Sequence, residues 1–184
     1  MSMNPNNPWD RPPPVIVGDV DNNITYAAVG RALSNWEAFE GYMSLIFSVI
    51  VGAGHDSLAA SRAYGSVVSF NGRHEMLVAA AEAYFSNYTD ANLQISLAAI
   101  LKEAKLASPR RNEIAHGIVQ PISGGHPSIT YALVPAYYAT NKRNLDRSPK
   151  YAYSSVEIMS FGHKFNGLAE PASDFLTDLY GRDA

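Results

Sequence analysis

ITYAAVGRALSNWEAFEGYMSLIFSVIVG, residues 24–52, decides the fold. Val29, Leu33, Trp36, Glu40, Met43, Phe47 and Ile50 follow one another at alternating intervals of four and three. That spacing puts them on one face of an α-helix, and Ile46 and Val49 widen the stripe. Gly52 and Gly54 end the run, and Asp56 stands where the next helix needs a cap.

Outward from this segment the same period returns. Residues 57–86 carry Ala63, Val67, Phe70, His74, Leu77, Ala81 and Tyr84 on one stripe. Asn71-Gly72 is a turn signal inside it, so this segment reads as two helices or one kinked helix. Residues 90–107 place Leu93, Leu97, Ile100, Leu101 and Ala104 on a third helical face. Ser108-Pro109 either starts a short new helix, PRRNEIAH, or kinks the old one, and Gly117 stops it. Residues 118–153 change character: IVQPI, the turn SGGHP and SITYALV read as a β-hairpin, with KYAY near 150 as a possible third strand. A capping box, Ser154-Ser155-Val156-Glu157, opens a last helix over 155–180, which Pro171 should kink. The expected architecture is mainly α: an up-down four-helix bundle with the hairpin inserted before the last helix. Residues 1–20 form an extended, proline-rich arm, and 21–184 a single helical domain.

Composition narrows the function classes. The 184 residues are 47% hydrophobic, enough for a sizeable core, but only 17% charged. An ordinary soluble domain carries roughly 25% charged residues, so the deficit points to surface buried in an oligomer. Zero cysteine excludes a thiol nucleophile, a disulfide scaffold and cysteine-based metal sites. Net charge is −3, which argues against a uniformly basic nucleic-acid binder. Yet residues 102–150 hold eight basic and three acidic side chains, a local +5 inside a −8 remainder. Such a stretch attracts a polyanion locally or is simply a solvated face. The first 18 residues lack the pattern of a secretory leader, and the longest apolar run, 43–53, is too short to span a bilayer. The expectation is a cytoplasmic protein with no membrane attachment.

Periodicity places three ionisable side chains at telling positions. Glu40 and His74 lie on helical seams, and His116 lies just before Gly117. A buried carboxylate costs several kcal/mol unless partnered, so Glu40 needs an arginine, a lysine or a hydroxyl. The segment SPRRNEIAHG is the densest in chemistry. Asn112 and His116 are four apart and share a helix face. An arginine, an amide and a histidine suit phosphodiester chemistry: histidine moves protons near neutral pH, and arginine clamps a phosphate.

Arg111-Asn112-Glu113-Ile114-Ala115-His116, at the end of a helical bundle, resembles the R-x(4–6)-H motif of the HEPN superfamily, which often has a polar residue directly after the arginine. The likeness covers this motif and the bundle expected over about 24–180. It implies a homodimer whose two motifs face each other across a cleft. It also implies a metal-independent endoribonuclease, without cofactor, in which the 2′-hydroxyl attacks the adjacent phosphate and leaves a 2′,3′-cyclic phosphate. On that model His116 is the general base or acid, Arg111 stabilises the transition state and Asn112 positions them. Beyond what the likeness implies, we read Glu40 and His74 as accessory groups, Glu40 holding Arg111 or the partner's motif. Arg110, Lys142, Arg143 and Arg147 flank the RNA backbone.

Two other readings compete. Superfamily members also bind RNA, nucleotide or protein without cleaving, and Glu113 beside the motif disfavours tight RNA binding. A pure interaction protein, such as a regulatory or antitoxin-like subunit gripping a protein partner through its arm, would use Arg111 and His116 structurally. Tyr131, Tyr137, Tyr138, Tyr151 and Tyr153 either stack on bases or pack the hairpin. No zinc-type histidine spacing, P-loop or nucleophile elbow is present.

Overall fold

A computed structural model describes residues 7–54, 57–123, 129–136 and 149–181. In chain order the elements are α1 (Asn22–Ile50), α2 (Leu58–Ser66), α3 (Phe70–Asn87), α4 (Ala91–His116), β1 (Gly117–Ile122), β2 (Thr130–Pro135) and α5 (Ser155–Tyr180). The protein is mainly helical, with one small antiparallel hairpin before its last helix. Among the described residues no helix is long and apolar enough to cross a membrane. The chain divides into two compact units, residues 1–36 with 109–164, and residues 37–108 with 165–184. Helices α1, α4 and α5 each contribute to both.

The first unit is organised around β2. In the hairpin register Pro121 faces Tyr131 and Val119 faces Leu133. The backbone groups of Tyr131 bond Asp19 in both directions at 2.8 Å. Those of Leu133 bond Tyr153 at 2.8 and 3.0 Å. Both edges of β2 are thereby paired, which an isolated two-stranded ribbon lacks. Pro121 sits at a non-hydrogen-bonded position, where its missing N–H costs the ladder nothing. The expected third strand near 150 is this single bridge at Tyr153. Gly18 makes the pairing possible, because a Cβ there would lie 2.0 Å from the Tyr131 carbonyl oxygen. Trp9 is buried, Val15 N–H donates to the Ala152 carbonyl at 3.0 Å, and Lys164 Nζ donates to the Pro8 carbonyl at 2.6 Å. Asp19 joins two helix starts: its carboxylate accepts from Thr25 Oγ1 at 2.7 Å and from Ser155 N–H and Oγ at 2.8 and 2.6 Å. The expected capping box closes as well, with Glu157 Oε2 accepting from Ser154 N–H at 2.8 Å. Ala28, Ala32, Trp36, Ile114, Leu133 and Ile158 form the core.

The second unit packs Phe39, Met43, Ile46, Leu77, Leu97, Ala104, Phe165, Phe175 and Leu179 in its interior. Gly52 and Gly54 end α1 with φ of 74° and 75°, the left-handed conformation that glycine adopts without a Cβ clash. Residues 57–86 resolve into two helices, and the break falls at Val67–Ser69 rather than at Asn71-Gly72. Ser69 explains this: its hydroxyl accepts from Gly72 N–H at 3.1 Å, so the Asn-Gly pair is absorbed into the first turn of α3. Helix α4, Ala91–His116, is one helix through Pro109, not a helix and a restart. Proline at 109 leaves the Lys105 carbonyl without its usual donor four residues on. Ser108 Oγ supplies one instead, at 3.2 Å. Helix α5 likewise runs through Pro171.

Candidate functional site

The unbroken course of α4 determines where the motif lies. Arg111, Asn112 and His116 occupy its last two turns, and β1 begins at the next residue. Ile114 is fully buried, anchoring this end of the helix in the first unit. Gly117 fixes the junction: a Cβ there would meet Leu133 Cγ at 2.7 Å and the Glu113 carbonyl at 2.9 Å. Asn112 and His116 are exposed, whereas Arg111 is half-buried. Arg111 Nη1 donates to Asn112 Oδ1 at 3.3 Å, and its guanidinium lies over the Trp36 ring, 5.9 Å from the centroid. Trp36 is fully buried, so the arginine stem has a rigid wall to lean on. The result is a cation, an amide and an imidazole on one helix end, two of them open to solvent.

Glu113, between these residues, belongs to a different set. Its carboxylate forms an ion pair with Arg11, lies 3.3 Å from Arg110 Nη1 and accepts from Tyr153 Oη at 2.6 Å. Tyr151 Oη donates to the Glu113 carbonyl at 3.0 Å, and the two tyrosine rings stack at 4.9 Å. The bond to Glu113 raises the pKa of Arg11. Burial, reinforced by the Glu113 charge, pushes the Tyr151 phenol up to about 12 and raises that of Tyr153 too. Arg110, expected at the RNA backbone, is therefore turned toward Glu113, with its side chain only 11% exposed. Tyr151 and Tyr153 pack the hairpin side of this unit and are buried, so they offer no face to a base. Apart from the i,i+3 spacing of Arg110 and Glu113, the sequence held no local signal for this cluster, because Arg11 is 102 residues from its partner.

In the second unit Glu40 has the cation and the hydroxyl that its burial requires. Arg73 Nη2 and Nε donate to its two oxygens at 2.8 and 3.0 Å, and Tyr64 Oη donates at 3.1 Å. Arg73 Nη1 also donates to the Val67 carbonyl at 2.9 Å, so the cluster fastens the α2–α3 junction to α1. Burial lowers the Arg73 pKa, but the Glu40 hydrogen bonds and charge outweigh it and the net shift is upward. Burial and the Glu40 carboxylate raise the Tyr64 pKa. His74 is half-buried on α3; burial lowers its pKa, with the Leu101 backbone opposing and the Lys105 charge reinforcing the shift. Lys142, Arg143 and Arg147, expected to flank RNA, lie outside the described residues, as do Tyr137 and Tyr138. Among the described residues no three His, Asp or Glu side chains are grouped as metal ligands.

Comparison of the chain with protein-family models, with curated proteins and with solved structures finds no match in any of the three.

Proposed function

We propose that this chain is a HEPN-like, metal-independent endoribonuclease that works as a homodimer. The carrying observation is the single helix end on which Asn112 and His116 are exposed while Arg111 is steadied by Asn112 and Trp36. In this reading the helices form an up-down four-helix bundle, with α2 and α3 sharing one leg, in a cytoplasmic protein. The twofold brings two motifs together over one RNA strand. The 2′-hydroxyl gives its proton to one His116 and attacks the adjacent phosphorus. The bond to the 5′-oxygen breaks, and the leaving oxygen takes a proton from the second copy of the same histidine. Arg111 neutralises the charge that builds on the non-bridging oxygens. The products are a 2′,3′-cyclic phosphate and a 5′-hydroxyl. Exposed apolar side chains support burial against a second copy: Val20 is 80% exposed and Val156 72%, close to the Asp19 cap in the first unit. Glu40 and His74 are left out of this chemistry, the first engaged by Arg73 and Tyr64, the second on α3.

The test is RNA degradation in EDTA by the full chain and two variants. His116→Ala should lower the rate at least about a hundredfold, the usual worth of a positioned proton-transfer group. Arg111→Lys should lower it by a similar factor while leaving the melting temperature nearly unchanged, because the lysine keeps the stem over Trp36. Undiminished cleavage by His116→Ala would sink the catalytic assignment.

A second reading is favoured by the Glu113 cluster, which shows that half the motif helix end serves packing. In it the domain binds RNA or a regulatory protein partner and cleaves nothing. It predicts binding without product, from the unsubstituted chain as from either variant.

A further inference from the structure

Between α3 and α4 the second unit carries a groove with a cavity of about 370 Å3. Its floor is apolar: Ala81 and Phe85 from α3 and Leu97 and Leu101 from α4 are all buried. Only residues 88–90 join the two helices, so they run antiparallel and the groove follows them away from the turn. From Phe85 near the turn to His74 is eleven residues, about 16 Å of helix. Polarity is graded along this length. Gln94 stands at the turn end. His74, Lys102 and Lys105 line the far end, where the electrostatic influence of Lys105 on His74 shows them to be neighbours. Glu82 is the one acidic side chain lining the cavity, against two lysines.

An apolar trough that ends in ammonium groups fits a molecule with a hydrocarbon tail and one anionic head. We propose that this groove binds a medium-chain carboxylate, its alkyl tail along Phe85 and Leu97 and its head at Lys102 and Lys105. Two observations favour this occupant. The volume is that of a small-molecule site. Both lysines are exposed at the mouth, able to reach a carboxylate while their stems cover its tail. The proposal is independent of the Arg111–His116 motif and stands or falls separately from the ribonuclease reading.

Calorimetric titration of the full chain with sodium hexanoate, octanoate and decanoate, below their aggregation concentrations, tests it. Binding should be one to one and tighten roughly tenfold for every two methylenes. The double variant Lys102→Gln/Lys105→Gln, at exposed positions, should weaken decanoate by about fivefold and leave decan-1-ol unchanged. Ala98→Trp, at an exposed alanine lining the groove, should abolish binding of both without lowering the melting temperature. Absence of saturable binding overturns the proposal. So does decanoate binding that ignores chain length or both variants. A dimer that Ala98→Trp dissociates also overturns it, since the groove would then belong to a second copy.

Discussion

Glu113 sits one residue past Asn112 in the candidate motif and is part of the fold. Two guanidiniums and a phenol converge on its carboxylate, which is 13% exposed. Removing one member of such a cluster strands the others, and the cost is that of uncompensated buried charge. Glu113→Ala should therefore destabilise the protein by about 2–3 kcal/mol, since the Arg11 side is still partly hydrated. Denaturant unfolding of the variant reads this directly; a change below about 0.5 kcal/mol would mean that the cluster is worth no more than a surface ion pair. The contrast with His116 is informative. Two side chains three residues apart on one helix differ in exposure, partners and expected phenotype. None of these differences is legible in R-N-E-I-A-H, because the partners of the Glu113 carboxylate, residues 11, 110 and 153, all lie outside it.

Among the elements, periodicity located every long helix and the hairpin, and its errors have identifiable causes. The stripe on α1 holds from Trp36 onward, where Trp36, Glu40, Met43, Phe47 and Ile50 are buried. Before Trp36 the buried face is Thr25, Ala28 and Ala32, not Val29 and Leu33. Close helix approach explains it: a Cβ on Gly162 of α5 would come within 3.2 Å of Ala32, and Asn35 Nδ2 donates to the Gly162 carbonyl at 3.0 Å. Small residues are what such an approach requires, so ranking by hydrophobic size selects the wrong neighbours there. The α2–α3 break was misplaced for another reason. A serine cap outweighs an Asn-Gly signal when the pair falls in the first helical turn. At this scale Gly18 carries a prediction. Gly18→Ala cannot coexist with the Asp19–Tyr131 bridge, so it should free the outer edge of β2. Amide exchange at Tyr131 is then expected to accelerate by at least about a hundredfold, while amides in the second unit keep their protection. Unchanged exchange at Tyr131 would show that the bridge does not protect that edge.

For the molecule as a whole, the described basic side chains at 102–111 show neighbours in sequence taking different surroundings. Lys102 and Lys105 line the α3–α4 groove in the second unit, while Arg110 and Arg111 belong to the first, one on Glu113 and one on Trp36. These four side chains thus do different jobs, and among the described residues the RNA reading rests on the α4 terminus. Large apolar side chains such as Val20 and Val156 are exposed in the first unit, and together with the low charge content they are what the proposed homodimer rests on. Charge counts were legible from the sequence; their partition was not, because it depends on which turns of α4 fall in which unit. The central claim concerns what Arg111 and His116 do to a phosphodiester, and the termini of cleaved RNA report on that most directly. RNA incubated with the full chain in EDTA and analysed by mass spectrometry should carry 2′,3′-cyclic phosphate and 5′-hydroxyl ends, absent with His116→Ala. Intact RNA, or fragments bearing 5′-phosphates, would contradict it.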